Sequence, residues 1–191
     1  MPRGASDAAV QVLVPVKAFS RAKLRLAAVL SEAERHDLAR RMATHVVAIA
    51  APLPVAVVCD DDEVASWADG LGARVLWEPG RGLNRAVASG VDRLGEDGAR
   101  RVIVAHADLP HAGPLAWIGA FDGVTLVPDH RDDGTNVVCV PVGAGFRFSY
   151  GPASFRRHCD EVQRLALALR VIREPGLGHD VDVPSDLTTT A

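Results

Sequence analysis

The run Val102-Ile103-Val104 places β-branched side chains at three successive positions, between Arg100-Arg101 and a proline-containing exit. Successive side chains of a strand point to opposite faces, so a strand apolar at every position must be covered on both sides. That requirement selects a parallel sheet sandwiched between helices. The run then meets His106-Ala107-Asp108-Leu109-Pro110, where Pro110 biases Leu109 towards extended backbone and ends ladder pairing. Asp108 therefore falls where the chain leaves the sheet, the end at which open α/β sheets bind ligands. Two roles are open to it: accepting hydrogen bonds in the turn, or holding a divalent cation against phosphate oxygens.

The same pattern recurs along the chain. Val12-Leu13-Val14-Pro15-Val16, Val55 to Cys59, Ala73 to Trp77, Val124 to Val127, Val137 to Val140 and Val171-Ile172 read as further strands. Helical spacing fills the gaps. Ser31-Glu32-Ala33-Glu34 has the form of a capping box and predicts a helix over 32–50; others are expected over 64–69, 85–94 and 152–169, with a short one holding Leu115, Trp117 and Ile118. Strands alternating with helices across short glycine turns specify βαβ units, hence an α/β fold with a mostly parallel central sheet flanked by helices in three layers. At 191 residues and 48% hydrophobic content the chain suits one domain, 1–191, with 1–9 and 188–191 as flexible ends.

A formal net charge of −3 supplies no basic field for nucleic acid or a membrane surface, so neither is expected as a partner. No apolar run has the length of a signal peptide or a membrane span, and Cys59, Cys139 and Cys159 are scattered and odd in number. A cytoplasmic protein with reduced thiols follows.

Any anionic ligand must then be met locally. The densest basic stretch, Lys17, Arg21, Lys23 and Arg25, directly follows the first strand, a common phosphate position in such sheets. It carries neither G-x-x-x-x-G-K-[ST] nor G-x-G-x-x-G. After the third strand, Gly82-Leu83-Asn84 offers close backbone approach and an amide edge, although Asn84 also suits a helix N-cap. Gly134-Thr135-Asn136, between two β-branched runs, combines flexible backbone, a hydroxyl and an amide, which suits a small phosphorylated acid. Backbone amides over Gly151 to Ser154 form a candidate anion seat, with His158 one turn beyond. Asp180 and Asp182 share a side if their segment is extended. His45 is read as a histidine with one satisfied hydrogen bond, and Asp60 to Glu63 as an acidic helix start.

Taken in order, Pro15-Val16-Lys17, Ala22-Lys23-Leu24-Arg25-Leu26, Gly82-Leu83-Asn84-Arg85-Ala86, Ala107-Asp108-Leu109-Pro110, Gly134-Thr135-Asn136, Tyr150-Gly151-Pro152-Ala153-Ser154-Phe155 and Asp180 to Leu187 resemble one family. It is the guanylyltransferases that activate 2-phospho-L-lactate or phosphoenolpyruvate in deazaflavin coenzyme biosynthesis. Leu24 stands where that pattern leads one to expect a small hydroxyl residue. The resemblance implies a nucleotidyltransferase fold, GTP and a small phosphorylated carboxylic acid as substrates, and Mg2+ as cofactor. It further implies that Thr135, Gly151 and Ser154 contact the acid and that Asp108 and Asp182 are the metal carboxylates. Lys17, Lys23, Arg25 and Asp108 are the expected catalytic set, and Gly82, Leu83 and Asn84 the expected nucleotide contacts. A homodimer and a downstream transferase of the same pathway complete the expected partners. The alternatives are a sugar-phosphate or molybdenum-cofactor-type nucleotidyltransferase, or a non-catalytic nucleotide-binding module.

Overall fold

A computed structural model describes residues 9–190, and the side chains of residues 9–187. Most of the expected flexible lead-in, 1–8, and Ala191 lie outside the described residues. The strands are β1 (Val10–Pro15), β2 (Val55–Cys59), β3 (Arg74–Trp77), β4 (Arg101–Ala105), β5 (Val124–Pro128), β6 (Thr135–Pro141) and β7 (Leu169–Val171). The helices are α1 (Glu32–Ile49), α2 (Asp62–Gly70), α3 (Gly82–Glu96), α4 (Ser154–Arg164) and the single turn α5 (Pro175–Gly178). One sheet of order β3-β2-β1-β4-β6-β5-β7 joins all seven strands. β6 pairs antiparallel with both neighbours and every other pairing is parallel.

The pleat explains the three layers. Val12 and Val14 of β1, Ile103 and Ala105 of β4, and Val137 and Cys139 of β6 point to one face, where α1 and α2 supply Val46, Val47, Val64 and Trp67. Leu13, Val102, Val104, Val138 and Val140 point to the other, against Val87, Val91 and Leu94 of α3 and Val162 of α4. Both faces are dry, as the unbroken β-branched runs require. Gly90 lets α3 sit directly on β1, since a Cβ there would come within 2.7 Å of the Leu13 side chain.

Ser31 and Glu34 form the reciprocal capping box, Asp61 caps α2 through the Val64 N–H, and His45 Nε2 lies 2.8 Å from the Ala112 carbonyl. α4 is shorter than the spacing predicts. It starts at Ser154, after Ala153 at φ +55°, and stops at Arg164 because Ala166 turns left-handed at φ +52°. The Leu167 N–H then bonds the Val162 carbonyl, the closing bond of a Schellman motif, and releases Leu169 into β7. Asn84 is likewise not an N-cap; α3 begins two residues earlier, at Gly82.

Candidate active site

The chain order reverses direction across the sheet at β1, which lies between β2 and β4. Ligand crevices of open α/β sheets form at such switch points, outside the carboxyl ends of the strands. Here those ends deliver Pro15-Val16-Lys17 and His106-Ala107-Asp108 side by side. A cleft of about 570 Å³ opens over them. Lys17, Lys23, Arg25, Gly82, Leu83, His106, Asp108 and Asp182 all line it.

Its floor is an ion cluster. Lys23 Nζ lies 2.5 Å from Asp108 Oδ2 and 2.9 Å from Asp182 Oδ1, and Arg25 approaches Asp182 at 3.7 Å. These residues are 85 and 159 positions apart in sequence, so only packing brings them together. Leu26 does much of that work: it is fully buried against Met42 of α1 and Val181, which pins the basic loop beside the acidic segment. Arg35 holds the loop from below through the Ala22 carbonyl, and the Val181 N–H bonds the Asp108 carbonyl. Lys23 occupies left-handed backbone at φ +54°, which turns its side chain into the cluster while Leu24, at 65% exposure, faces out.

The charges shift one another. Burial pushes the Asp108 carboxyl up, but the Lys23 ammonium and nearby His106 outweigh it and hold the group below the usual carboxylate range. Burial lowers Lys23, and Asp108 and Asp182 more than restore it, so the ammonium stays charged. Asp180 moves the opposite way. Burial raises it, and the neighbouring Asp108 and Asp182 carboxylates add to this by repelling a third negative charge. Asp182 is not spent on capping. Asp186 takes that role, accepting from the Asp182 and Val183 N–H groups at 2.9 Å, which leaves the Asp182 carboxylate to the cleft.

Across β4, in the second half of the sheet and outside the residues that line the cleft, lies a buried polar cluster. Thr135 and Ser154 are each 1% exposed, with their hydroxyl oxygens 3.4 Å apart. His158 Nε2 accepts from the Ser149 N–H, so its Nδ1–H donates to Thr135 Oγ1 at 3.0 Å. The expected seat of free amides is not present there. The Ala153 N–H bonds Asp133 Oδ1 and the Ser154 N–H bonds the Gly151 carbonyl, because the left-handed turn before α4 folds these donors inward. Gly151, at φ +114°, stays at the surface. Asn84 turns from the cleft to Tyr150, its Oδ1 accepting from the Tyr150 N–H at 2.7 Å, and so fastens α3 to this half.

Glu78 went unread in the sequence. It follows β3 directly, is 9% exposed, lines the cleft, and accepts from Ser89 Oγ at 2.6 Å. That hydrogen bond, opposed by burial and helped by Arg81 and Arg93, lowers its carboxyl. A lone charged residue at a strand end was the available signal.

The family model described as "Guanylyl transferase CofC like" matches residues 10–190. This chain belongs to that family. A phosphoenolpyruvate guanylyltransferase of Sphaerobacter thermophilus is 34% identical over 194 residues, covering 94% of this chain and 91% of the relative. One from Rubrobacter xylanophilus is 35% identical over 187 residues, covering 93% and 91%. Among solved structures, a Desulfovibrio desulfuricans G20 protein assigned as a nucleotide-diphospho-sugar transferase superposes with a TM-score of 0.78 at 17% identity, over 94% of this chain and 85% of the other. That likeness concerns the fold. For a CofC-like guanylyl transferase, the switch-point cleft with its Lys23–Asp108–Asp182 cluster is the natural candidate for the active site.

Proposed function

We propose that this enzyme joins GTP to a small phosphorylated carboxylic acid, phosphoenolpyruvate first and 2-phospho-L-lactate or 3-phosphoglycerate next, with release of pyrophosphate, in deazaflavin coenzyme biosynthesis. The observation that carries the reading is the cleft floor, where one ammonium and two carboxylates meet between the two halves of the sheet. An oxygen of the acid's phosphate attacks the α-phosphorus of GTP, the bond from that phosphorus to the bridging oxygen breaks, and pyrophosphate leaves. The attacking phosphate is already anionic at neutral pH, so the protein has only to align it and neutralise charge. Lys17 and Arg25, exposed on the cleft rim, meet the triphosphate, and Lys23 stays at the reacting centre. Gly82 and Leu83 approach the nucleoside, with Asn84 holding that wall, and Gly151, Thr135 and Ser154 serve the acid.

The residues fit a divalent cation. Asp108 Oδ1 is buried with no partner, and beyond the single Lys23 ammonium the two carboxylates have only the 74%-exposed Arg25 side chain, 3.7 Å from Asp182. Among the described residues no group of three or more metal-ligating side chains converges. Asp108 and Asp182 would therefore hold magnesium with phosphate oxygens completing its shell, the usual arrangement for that ion. When bound it would neutralise charge on the reacting phosphates.

The same reading takes the enzyme to be cytoplasmic and homodimeric, with its diphosphate-activated product passed to a downstream transferase. The test is pyrophosphate release from GTP and magnesium with each of the three acids in turn, then with equal GTP and ATP in competition. Preferential use of ATP, or turnover only with a sugar phosphate, would overturn it.

A further inference from the structure

His106 stands at the boundary between the two halves, and the reading above gives it no task. Its backbone is fixed, because it follows β4 directly and its N–H bonds the Asn136 carbonyl at 3.0 Å. Its ring is fixed too, packed on Tyr150 with centroids 4.9 Å apart. Tyr150 is in turn held by Asn84 through its backbone N–H and by rings of Phe148 and His158. Yet His106 lines the cleft, and its Nε2 is buried with no hydrogen-bond partner. A buried polar atom left unpaired costs about 1–3 kcal/mol, so in a native fold it calls for a partner such as a water, an ion or a ligand, and His106 Nε2 is one that borders the cleft.

The chemistry of the ligand can be narrowed. The acid's phosphate must face the α-phosphorus of GTP, beside the charged floor of Lys23, Asp108 and Asp182. Its other charged group, the carboxylate, then has to lie away from that floor. His106 is two residues from Asp108 on the side towards β6, where Thr135 and Asn136 begin the strand. In its Nε2–H tautomer the imidazole there offers a donor without a partner to an acceptor-only carboxylate. We infer that His106 is a substrate-binding residue that donates from Nε2 to the carboxylate of the phosphorylated acid, and so selects acids over simple phosphate esters. This inference rests on the guanylyltransferase reading.

The experiment compares wild type, His106→Leu and His106→Gln by initial rates of pyrophosphate release, titrating the acid at saturating GTP and GTP at saturating acid. Ethyl phosphate, which carries a phosphate without a carboxylate, serves as an inhibitor competing with the acid. In His106→Leu the KM for the acid should rise by about ten- to a hundredfold, the span of a lost hydrogen bond to a charged group. The KM for GTP and inhibition by ethyl phosphate should stay within about twofold, the range left to a variant that keeps every phosphate contact. His106→Gln, which retains a donor, should recover most of the acid affinity. Thermal melting of each variant checks that the fold is kept. An unchanged acid KM in His106→Leu, a parallel rise for GTP, or an equal loss of ethyl phosphate inhibition would overturn the inference while leaving the guanylyltransferase reading intact. A wild type that releases no pyrophosphate with any of the acids would overturn the reading, and the inference with it.

Discussion

The two halves of the sheet's ligand edge are built on opposite principles. On the β1 side the charged groups are cations on a loop at the surface: Lys17 is exposed and the Arg25 side chain is 74% exposed. On the β6 side, outside the residues that line the cleft, the polar groups are neutral hydroxyls and an imidazole, Thr135, Ser154 and His158, all buried, with Thr135 bonded to both of the others. Exposed cations on long side chains adapt to a mobile polyphosphate at little desolvation cost, whereas buried neutral donors keep fixed positions and discriminate by geometry. One half is suited to neutralising charge, the other to recognising shape. Asp108 and Lys23 lie where the two meet, and changes there should be felt by both.

The largest effect should come from Asp108→Asn, which removes a charge but little volume. Turnover should fall by about a hundredfold or more, as for other losses of transition-state charge stabilisation, with the melting temperature falling less than in Lys23→Met because Asp182 still pairs with the Lys23 ammonium. Steady-state rates with both substrates saturating, alongside a thermal melt, decide it. Early melting with normal residual turnover would make Asp108 a structural residue.

Lys23→Met should cost stability as well as activity, because it leaves the Asp108 carboxylate buried without its counter-ion. Removing one partner of a buried pair costs about 3 kcal/mol or more. The combined Lys23→Met and Asp108→Asn protein should be more stable than Lys23→Met alone, a coupling readable by urea denaturation. Simple additivity would mean that solvent already screens the pair.

On the recognition side, Ser154→Ala and Thr135→Val should raise the KM for the acid by roughly one to two decades each and leave that for GTP nearly unchanged. Thr135→Ser, which keeps the hydroxyl that His158 needs, should behave as wild type. Should both substrates suffer alike, the hydroxyls serve the packing of α4.

The smallest effect concerns pH. Burial, with Arg157 and His106 adding, holds His158 down to about 4, against about 6.5 in the unfolded chain. The unfolded state therefore binds more protons between these values. His158 leaves stability intact above about pH 6.5 and removes it progressively as pH falls towards 4, amounting to about 2 kcal/mol at pH 5. Urea midpoints at pH 7 and pH 5 for wild type and His158→Gln would measure it. A variant with the same pH slope as wild type would assign the acid sensitivity to other groups.

Much of this architecture could be read directly from the chain. Val102 to Val104 demanded a sheet covered on both faces, the capping box started α1 where Ser31 stands, and Pro110 put Asp108 at the ligand edge. These are local statements, fixed by backbone sterics and by side-chain alternation, and they hold whatever the rest of the chain does. The end of α4 was not of that kind. Its apolar spacing continued to Leu169, but Ala166 adopts a left-handed turn so that β7 can pair with β5, a choice made by the sheet rather than the segment. Likewise Asn84 looked like a cap and instead ties α3 to Tyr150, and Asp182 was freed only because Asp186 caps the terminal turn. The sequence alone thus determined the layered fold and the types of charged group at its ligand edge. Which of them meet was decided by tertiary structure. Lys23, Asp108 and Asp182 are joined by the burial of Leu26 on Met42 and Val181, a contact between distant segments that no periodicity encodes.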